Sequence, residues 1–385
     1  MVFEKFRNWL ANNRSFLFSR YTKDLAETQE PERSLIELPP EIRQKLVDKI
    51  ENLPSNPGDC KAIAEKLDET FELWRNSSES ANNSLVVLSS PVNAVSRILT
   101  ETLEDWAEQK QVSVRLLPLK ARPEMADTIK SKLEQYLEEE FVEDAIGKRQ
   151  PEVVVIPNLS WCFLRSLEGL KGIEYLQSRL YDGFQDRFWI IGAGQVGWEY
   201  LNLVSNIESY CAEVFKLPAL TGEQLQEWLK PIVNELNVTF DDSGIDRKIL
   251  EGDKDHRTHY FERLADVSQG VNTVAVQAFL KSIHYEELEE RENAIIAKVP
   301  ELPDLTELES ADQYLLYSLL LHGDLTVSAL AESLGDTASE VQARVQVLRQ
   351  QGVVEQRKKV LKINPIHYPK IKQRLAGNNF VINKH

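Results

Sequence analysis

Two short stretches hold residue types and spacings that could do chemistry. Phe188-Trp189-Ile190-Ile191 leads into Gly192-x-Gly194-x-x-Gly197 and then a helix-like segment. Glycines so spaced after a strand let the backbone approach a dinucleotide pyrophosphate at a helix N-terminus. Upstream, the apolar run Leu85-Val86-Val87-Leu88 is followed by Ser89-Ser90-Pro91-Val92-Asn93-Ala94-Val95-Ser96-Arg97. Its length and its strand, loop and helix setting are those of the phosphate loop GxxxxGK[ST]. There, backbone N–H groups and a lysine hold phosphate, and a hydroxyl holds Mg²⁺.

Each stretch departs from the chemistry its spacing suggests. A dinucleotide turn follows the first strand of its domain, with a ribose-binding carboxylate about 20 residues on. Here three strand-like runs come first, and the next strand ends Lys216-Leu217-Pro218, with Glu213 at its opposite end. The glycines then serve close packing of helix on sheet, and an NAD(P)-dependent oxidoreductase using Gly192, Gly194 and Gly197 stays as an alternative. In the phosphate-loop register, Ser90 and Val95 take the two glycine places, Asn93 lies between them, Ser96 takes the lysine place and Arg97 the hydroxyl place. A β-branched Val95 resists the φ > 0 conformations such loops use. Ser96 brings no ammonium, and Arg97 sets a cation where Mg²⁺ would lie. The third strand, Val153-Val154-Val155-Ile156, ends in Pro157-Asn158, where a working enzyme has a Mg²⁺-shell carboxylate.

The elements that must position these residues follow from pattern. Short apolar runs at 84–88, 112–117, 152–156, 187–191 and 213–217 alternate with helical segments at 92–109, 123–146 and 170–184. That alternation predicts a parallel sheet with helices on both faces. Helices are also expected at 40–53, 60–74, 222–237, from His259 and at 271–283, with a charged linker over 286–302. Toward the end, helices at 311–321, 326–335 and 337–351 precede two short strands within 353–363, the order of a winged helix-turn-helix.

The order of elements, with the two degenerate sites, resembles the P-loop ATPases of the AAA+ and STAND kind over about Thr70 to Leu375. "VFKLPALTGEQLQEWLKPIV" is similar to the strand, loop and helix leading to the lid of such proteins, and "HYFERLADVSQGVNTVAVQAFLKSI" to the lid helices. The resemblance implies an α/β fold: a parallel-sheet P-loop-NTPase-like core, a helical lid and a C-terminal winged helix. It also implies ATP-driven switching. Besides the two sites, the sensor place at the end of the fourth strand holds Gly192 or Ala193, and no Arg lies between Gln269 and Leu280. The expectation is therefore a pseudo-ATPase with no cofactor, acting as a regulatory or scaffold protein. Expected boundaries are 1–35 (amphipathic helix and linker), 36–78 (helical region), 79–235 (core), 236–305 (lid), 306–377 (winged helix) and 378–385 (tail).

Charge and composition bear on partners. The 385 residues carry a net −16, with three distant cysteines, Cys60, Cys162 and Cys211, which read as free thiols in a reducing cytoplasm. From Ala311 onward ten Lys/Arg face six Asp/Glu, so the first 310 residues hold −20. The body repels nucleic acid, while the tail attracts an acidic surface. Gln342, Arg344, Gln346 and Arg349 on the reading helix, with Arg357, Lys358, Lys359 and Lys362 in the wing, are candidates for a partner or for DNA. Winged helices also dock proteins, and both readings stay open. Residues 1–24, amphipathic and basic, suit a partner or the inner face of a membrane, and oligomers are an option. His256-x-x-His259 has metal spacing without a completing ligand set and reads as a polar loop.

Overall fold

The apolar runs become one sheet in the computed structural model, which describes residues 38–76, 83–137, 152–182, 187–241, 256–287 and 293–382. The expected helix at 1–24, the linker after it and the acidic run Glu138-Glu139-Glu140 lie outside the described residues. The strands are β1 (Ser84–Ser89), β2 (Ser113–Leu116), β3 (Glu152–Ile156), β4 (Arg187–Gly194) and β5 (Glu213–Lys216). All run parallel in the order β2-β3-β4-β1-β5. Alternate residues face opposite sides, and both sides are buried. Leu85, Val87, Val153, Val155, Phe188 and Ile190 enter one core, and Val86, Leu88, Val154, Ile156, Trp189 and Ile191 the other. Burial on both faces explains why these strands read as unbroken apolar runs.

Helices α1 (Pro40–Glu51), α2 (Pro57–Asn76), α3 (Val95–Lys110), α4 (Thr128–Leu137), α5 (Lys171–Asp182) and α6 (Gln195–Ser205) follow in chain order. On one face α2 and α3 pack through an aromatic cluster. The Phe71 ring meets Trp106 at 5.1 Å and Phe188 at 5.3 Å, both edge-on, the arrangement ring quadrupoles favour. On the other face lie residues of α4, α5 and α6. The helix expected from Pro123 starts only at Thr128, since residues 117–127 form a loop anchored elsewhere.

A second core gathers α1 with α7 (Gly222–Glu235), α8 (His256–Ser268) and α9 (Asn272–Ser282). Thr221 and Gln224 form a reciprocal capping box at the start of α7, at 3.3 and 2.9 Å. This unit also holds a small sheet, which corrects the expectation of a wholly helical lid and a charged linker over 286–302. Strands β6 (Thr239–Phe240), β7 (Ile283–Glu287) and β8 (Asn293–Ala297) pair in the order β6-β8-β7. The cause is burial of Ile295 and Ala297, two residues apart on one side of β8, a signal hidden among flanking charges.

The C-terminal unit is a winged helix. It comprises α10 (Ser310–His322), β9 (Leu325–Thr326), α11 (Val327–Leu334), α12 (Ala338–Gln350), β10 (Val354–Arg357) and β11 (Val360–Ile363), with the sheet order β10-β11-β9. Thr326 and Thr337 cap α11 and α12 by accepting from the N–H of Ala329 (3.2 Å) and Glu340 (3.3 Å), and Gly335 ends α11 at φ +79°. A further helix, α13 (Tyr368–Gly377), follows the wing; it and β9 were not foreseen. Helix α10 is buried from Leu315 to His322, because the sheet-side core covers one flank and its own unit the other. Beyond α13 the chain folds back, placing Phe380 5.1 Å from Tyr314 and 5.0 Å from Tyr317.

Candidate functional site

In an open parallel sheet, ligands bind beyond the carboxyl ends of the strands, where the strand order reverses. Here that place is the end of β1. Residues Ser90 to Ala94 form a tight turn closed by backbone hydrogen bonds that run on into α3. The Asn93 N–H donates to the Ser90 carbonyl (2.9 Å), Val95 to Asn93 (3.1 Å) and Arg97 to Ala94 (2.9 Å). Val95 is buried in the sheet core. The Asn93 side chain accepts from the Thr273 hydroxyl of α9 at 3.0 Å. Arg97 is 6% exposed. Its guanidinium turns away from the turn: Nη2 donates to the Leu53 carbonyl, and Nε pairs with Glu101 at 2.9 Å. The other Glu101 oxygen accepts from the Ser55 N–H at 2.7 Å. What remains is a recess of about 30 Å³ between Ile50, Leu53, Arg97, Trp228, Asn272 and Val276, room for about two waters.

At the end of β3, Asn158 carries structure. Its side chain accepts from the Ser160 N–H at 3.0 Å and caps the 3₁₀ turn Leu159–Cys162. The Pro157 carbonyl lies where a side chain on Gly192 would stand, 2.5 Å from an ideal Cβ.

The GxGxxG stretch is not a turn. Strand β4 continues through it, with Gly192 opposite Val87 and Gly194 opposite Ser89, and α6 starts directly at Gln195. None of the three glycines has a positive φ. A Cβ on Gly197 would lie 2.4 Å from the Leu321 carbonyl of α10, so this glycine lets the winged helix touch the core. Gly192 and Gly197 serve close approach, and the dinucleotide alternative loses its loop.

The comparisons with known proteins can now be set beside this geometry. No family model matches the chain, and no curated protein matches it in sequence. Among solved structures, the chain is similar to the RuvB Holliday junction branch migration motor of Thermotoga maritima at 16% identity and TM-score 0.29, covering 84% of this chain and 96% of that one. It is similar to Cdc6p of Pyrobaculum aerophilum at 12% identity and TM-score 0.33, covering 85% and 96%. It is also similar to the ORC1 protein of Aeropyrum pernix, solved in complex with DNA, at 13% identity and TM-score 0.33, covering 84% and 94%. The strands run in the order β2-β3-β4-β1-β5, with β4 inserted between β1 and β3. The fold is a parallel five-stranded α/β sheet with helices on both faces, followed by a winged helix.

In this fold the winged helix closes over the carboxyl edge of the sheet. Gly323, just past α10, lies beside the Pro91 carbonyl and Ser160. Arg122, from the loop after β2, donates to the carbonyls of Ser160 (2.6 Å), Phe163 (2.8 Å), Asp324 (2.8 Å) and His322 (3.3 Å). The cation thus meets the carbonyl end of α10, where the helix dipole favours it. Arg165 donates to the Ser333 carbonyl at 2.7 Å, and its N–H to His322 Nε2 at 3.3 Å. Burial, then the charges of Arg122 and Arg165, hold the His322 imidazole well below its ordinary pKa, so it stays neutral. Tyr368 of α13 stands by Ser90, its hydroxyl pushed up to about 12 by burial.

The recognition candidates divide. Gln342 and Gln346 are exposed on α12, beside Ala343, Val347 and Gln350. Arg344 pairs with Glu309 (3.4 Å) and Asp312 (3.5 Å) at the start of α10. Arg349 is half-buried. Arg357 is partly buried and held down to about 10 by that burial. Lys358 and Lys359 are exposed at the two-residue tip of the β10–β11 hairpin, with Lys358 in the left-handed region at φ +50°. Lys362 faces Glu355 at 3.7 Å. His256 and His259 lie on the first turn of α8 rather than in a loop, and no group of three metal-ligand residues occurs among the described residues. No described helix is long and apolar enough to cross a membrane. Sequence reasoning missed Arg122, Arg165 and His322, whose partners lie up to 202 residues away.

Proposed function

We propose that the protein is a non-catalytic regulatory or scaffold protein: an AAA+-like fold without nucleotide turnover that acts by recognising a protein partner through its winged helix. The observation that carries this reading is the engagement of Arg97 with Leu53 and Glu101, in the place of a Mg²⁺-binding hydroxyl. Three further features support it. The Asn93 N–H is spent within the turn on the Ser90 carbonyl, Ser96 and Val95 replace lysine and glycine, and Pro157-Asn158 offers no carboxylate to a metal shell. Mg²⁺–ATP does not fit this set.

A protein partner suits α12. Its exposed Gln342, Ala343, Gln346 and Val347 form a neutral, partly apolar face, with Val347 52% exposed. The Lys358-Lys359 tip adds a basic rim that favours an acidic partner. The same basic wing, with Arg357 and Lys362, supports DNA binding as the second reading. Two measurements test the proposal. About 1 mM ATP–Mg²⁺ should leave the melting temperature of the full chain unchanged; a rise of several degrees refutes a non-binding site. Fluorescence anisotropy with duplex DNA at low salt should show no saturable binding. Binding that weakens steeply with salt, and is lost in Lys358→Ala/Lys359→Ala, replaces the protein-partner reading with the DNA one. Membrane contact through residues 1–24 is proposed too, and equal liposome flotation of the chain with and without them would discard it.

A further inference from the structure

The reading above leaves open what holds lid and core together in a fold whose nucleotide would ordinarily lie between them. We infer that Leu53–Asp59, the connection from α1 to α2 together with the first residues of α2, is a built-in strap that takes over this role and keeps the lid fixed on the core without any ligand. The inference rests on the reading that nucleotide does not bind.

The strap is bonded on both sides. Toward the core, Arg97 Nη2 of α3 donates to the Leu53 carbonyl, and the Ser55 N–H donates to Glu101 at 2.7 Å. Arg97 and Glu101 are themselves paired at 2.9 Å, their side chains only 8% and 16% exposed. Toward the lid, Trp228 Nε1 of α7 donates to the Pro54 carbonyl at 2.8 Å. Asn272 Nδ2 of α9 donates to Asp59 at 3.3 Å. The strap backbone and Asp59 thus receive donors from α7 and α9, while the Arg97–Glu101 pair grips the strap from α3. Asn272 and Thr273 mark the N-terminus of α9, and Thr273 closes a second bridge to Asn93 at 3.0 Å, so the lid helix reaches the turn after β1 directly.

A buried Arg–Glu pair is costly to desolvate unless further hydrogen bonds satisfy it. Here the strap supplies one partner to each member, Leu53 O to the guanidinium and Ser55 N–H to the carboxylate. That reciprocity explains why a cation can stand buried at the edge of the phosphate-loop position. It also makes the strap and the pair mutually dependent: neither is satisfied if the segment swings out.

The test is hydrogen exchange by mass spectrometry on the full chain, with and without about 1 mM ATP–Mg²⁺. Arg97→Met/Glu101→Met removes both core-side grips while keeping side-chain volume, as apolar replacement of buried ion pairs permits. Trp228→Phe keeps an aromatic side chain, smaller than the indole, and removes the bond to Pro54, and so reports even if the double variant fails to fold. In the wild type, amides of residues 54–60 and 222–229 should exchange slowly and equally with and without nucleotide. Exchange there should rise at least about tenfold in the double variant and about threefold in Trp228→Phe, with β1 and β4 unchanged. Fast wild-type exchange over 54–60, or no rise in Trp228→Phe, overturns the strap while leaving the non-binding reading intact. Protection that appears only with nucleotide overturns both.

Discussion

Replacing Arg122 with alanine tests how the winged helix is held. The guanidinium serves four carbonyls: Ser160 and Phe163 in the core, His322 and Asp324 in the winged helix. Three of these bonds lie at 2.6–2.8 Å, and a hydrogen bond to a charged group contributes about 1.5–3 kcal/mol. A plain sum is about 5–9 kcal/mol. Water can reach this half-exposed site and satisfy part of the carbonyl need, so the net loss should be about 3–5 kcal/mol, as for a broken buried pair. The sheet and winged helix share one core and should melt together, placing the fall in melting temperature near 6–20 °C at about 2–4 °C per kcal/mol. Calorimetry measures the fall, and hydrogen exchange over residues 160–165 and 322–326 locates it. Arg122→Lys should recover less than half, since an ammonium has no planar fork to reach four acceptors. A variant melting within about 1 °C of wild type, with unchanged exchange at both segments, would refute the clamp.

Two further substitutions have defined signs. Burial raises the Asp59 carboxyl from 3.8 to about 6, partly offset by the Asn272 bond. The folded state therefore binds this proton more tightly than the unfolded one, and Asp59 costs stability as pH rises from about 3.8 to 6. Asp59→Asn should stabilise at pH 7.5 by at most about 3 kcal/mol and by much less at pH 4.5; an equal effect at both pH values contradicts the assignment. Gly197→Ala gains about 1 kcal/mol of helix propensity but drives a Cβ to 2.4 Å from the Leu321 carbonyl. Overpacking of about 1–3 kcal/mol should prevail, so the melting temperature should fall, and a rise would show that α6 and α10 are less closely pressed.

Much of the fold could be read from local pattern. The five strands stood out because a parallel sheet buried on both faces needs unbroken runs such as Leu85–Leu88 and Val153–Ile156. The caps at Thr326 and Thr337 announced their helices because a hydroxyl there meets an orphan N–H. The β7–β8 hairpin was not legible, since its burial rests on Ile295 and Ala297 within a charged stretch. The GxGxxG spacing left two readings for a physical reason: glycine permits a phosphate turn and close backbone packing alike, and only the neighbours Pro157 and Leu321 decide. Arg97 was legible as a cation in the place of a Mg²⁺-binding hydroxyl, but its engagement with Leu53, 44 residues earlier, needed tertiary structure. The pairing of Arg344 with Glu309 and Asp312 likewise needed the packing of α12 on α10.

The central claim is that the carboxyl end of β1 no longer holds nucleoside triphosphate. Equilibrium dialysis of the full chain against labelled ATP with Mg²⁺, from micromolar to millimolar, tests it most directly. The account predicts no saturable uptake across this range. One mole bound per mole of protein with a Kd below about 100 μM, lost when Arg97 or Asn93 is changed, would contradict it.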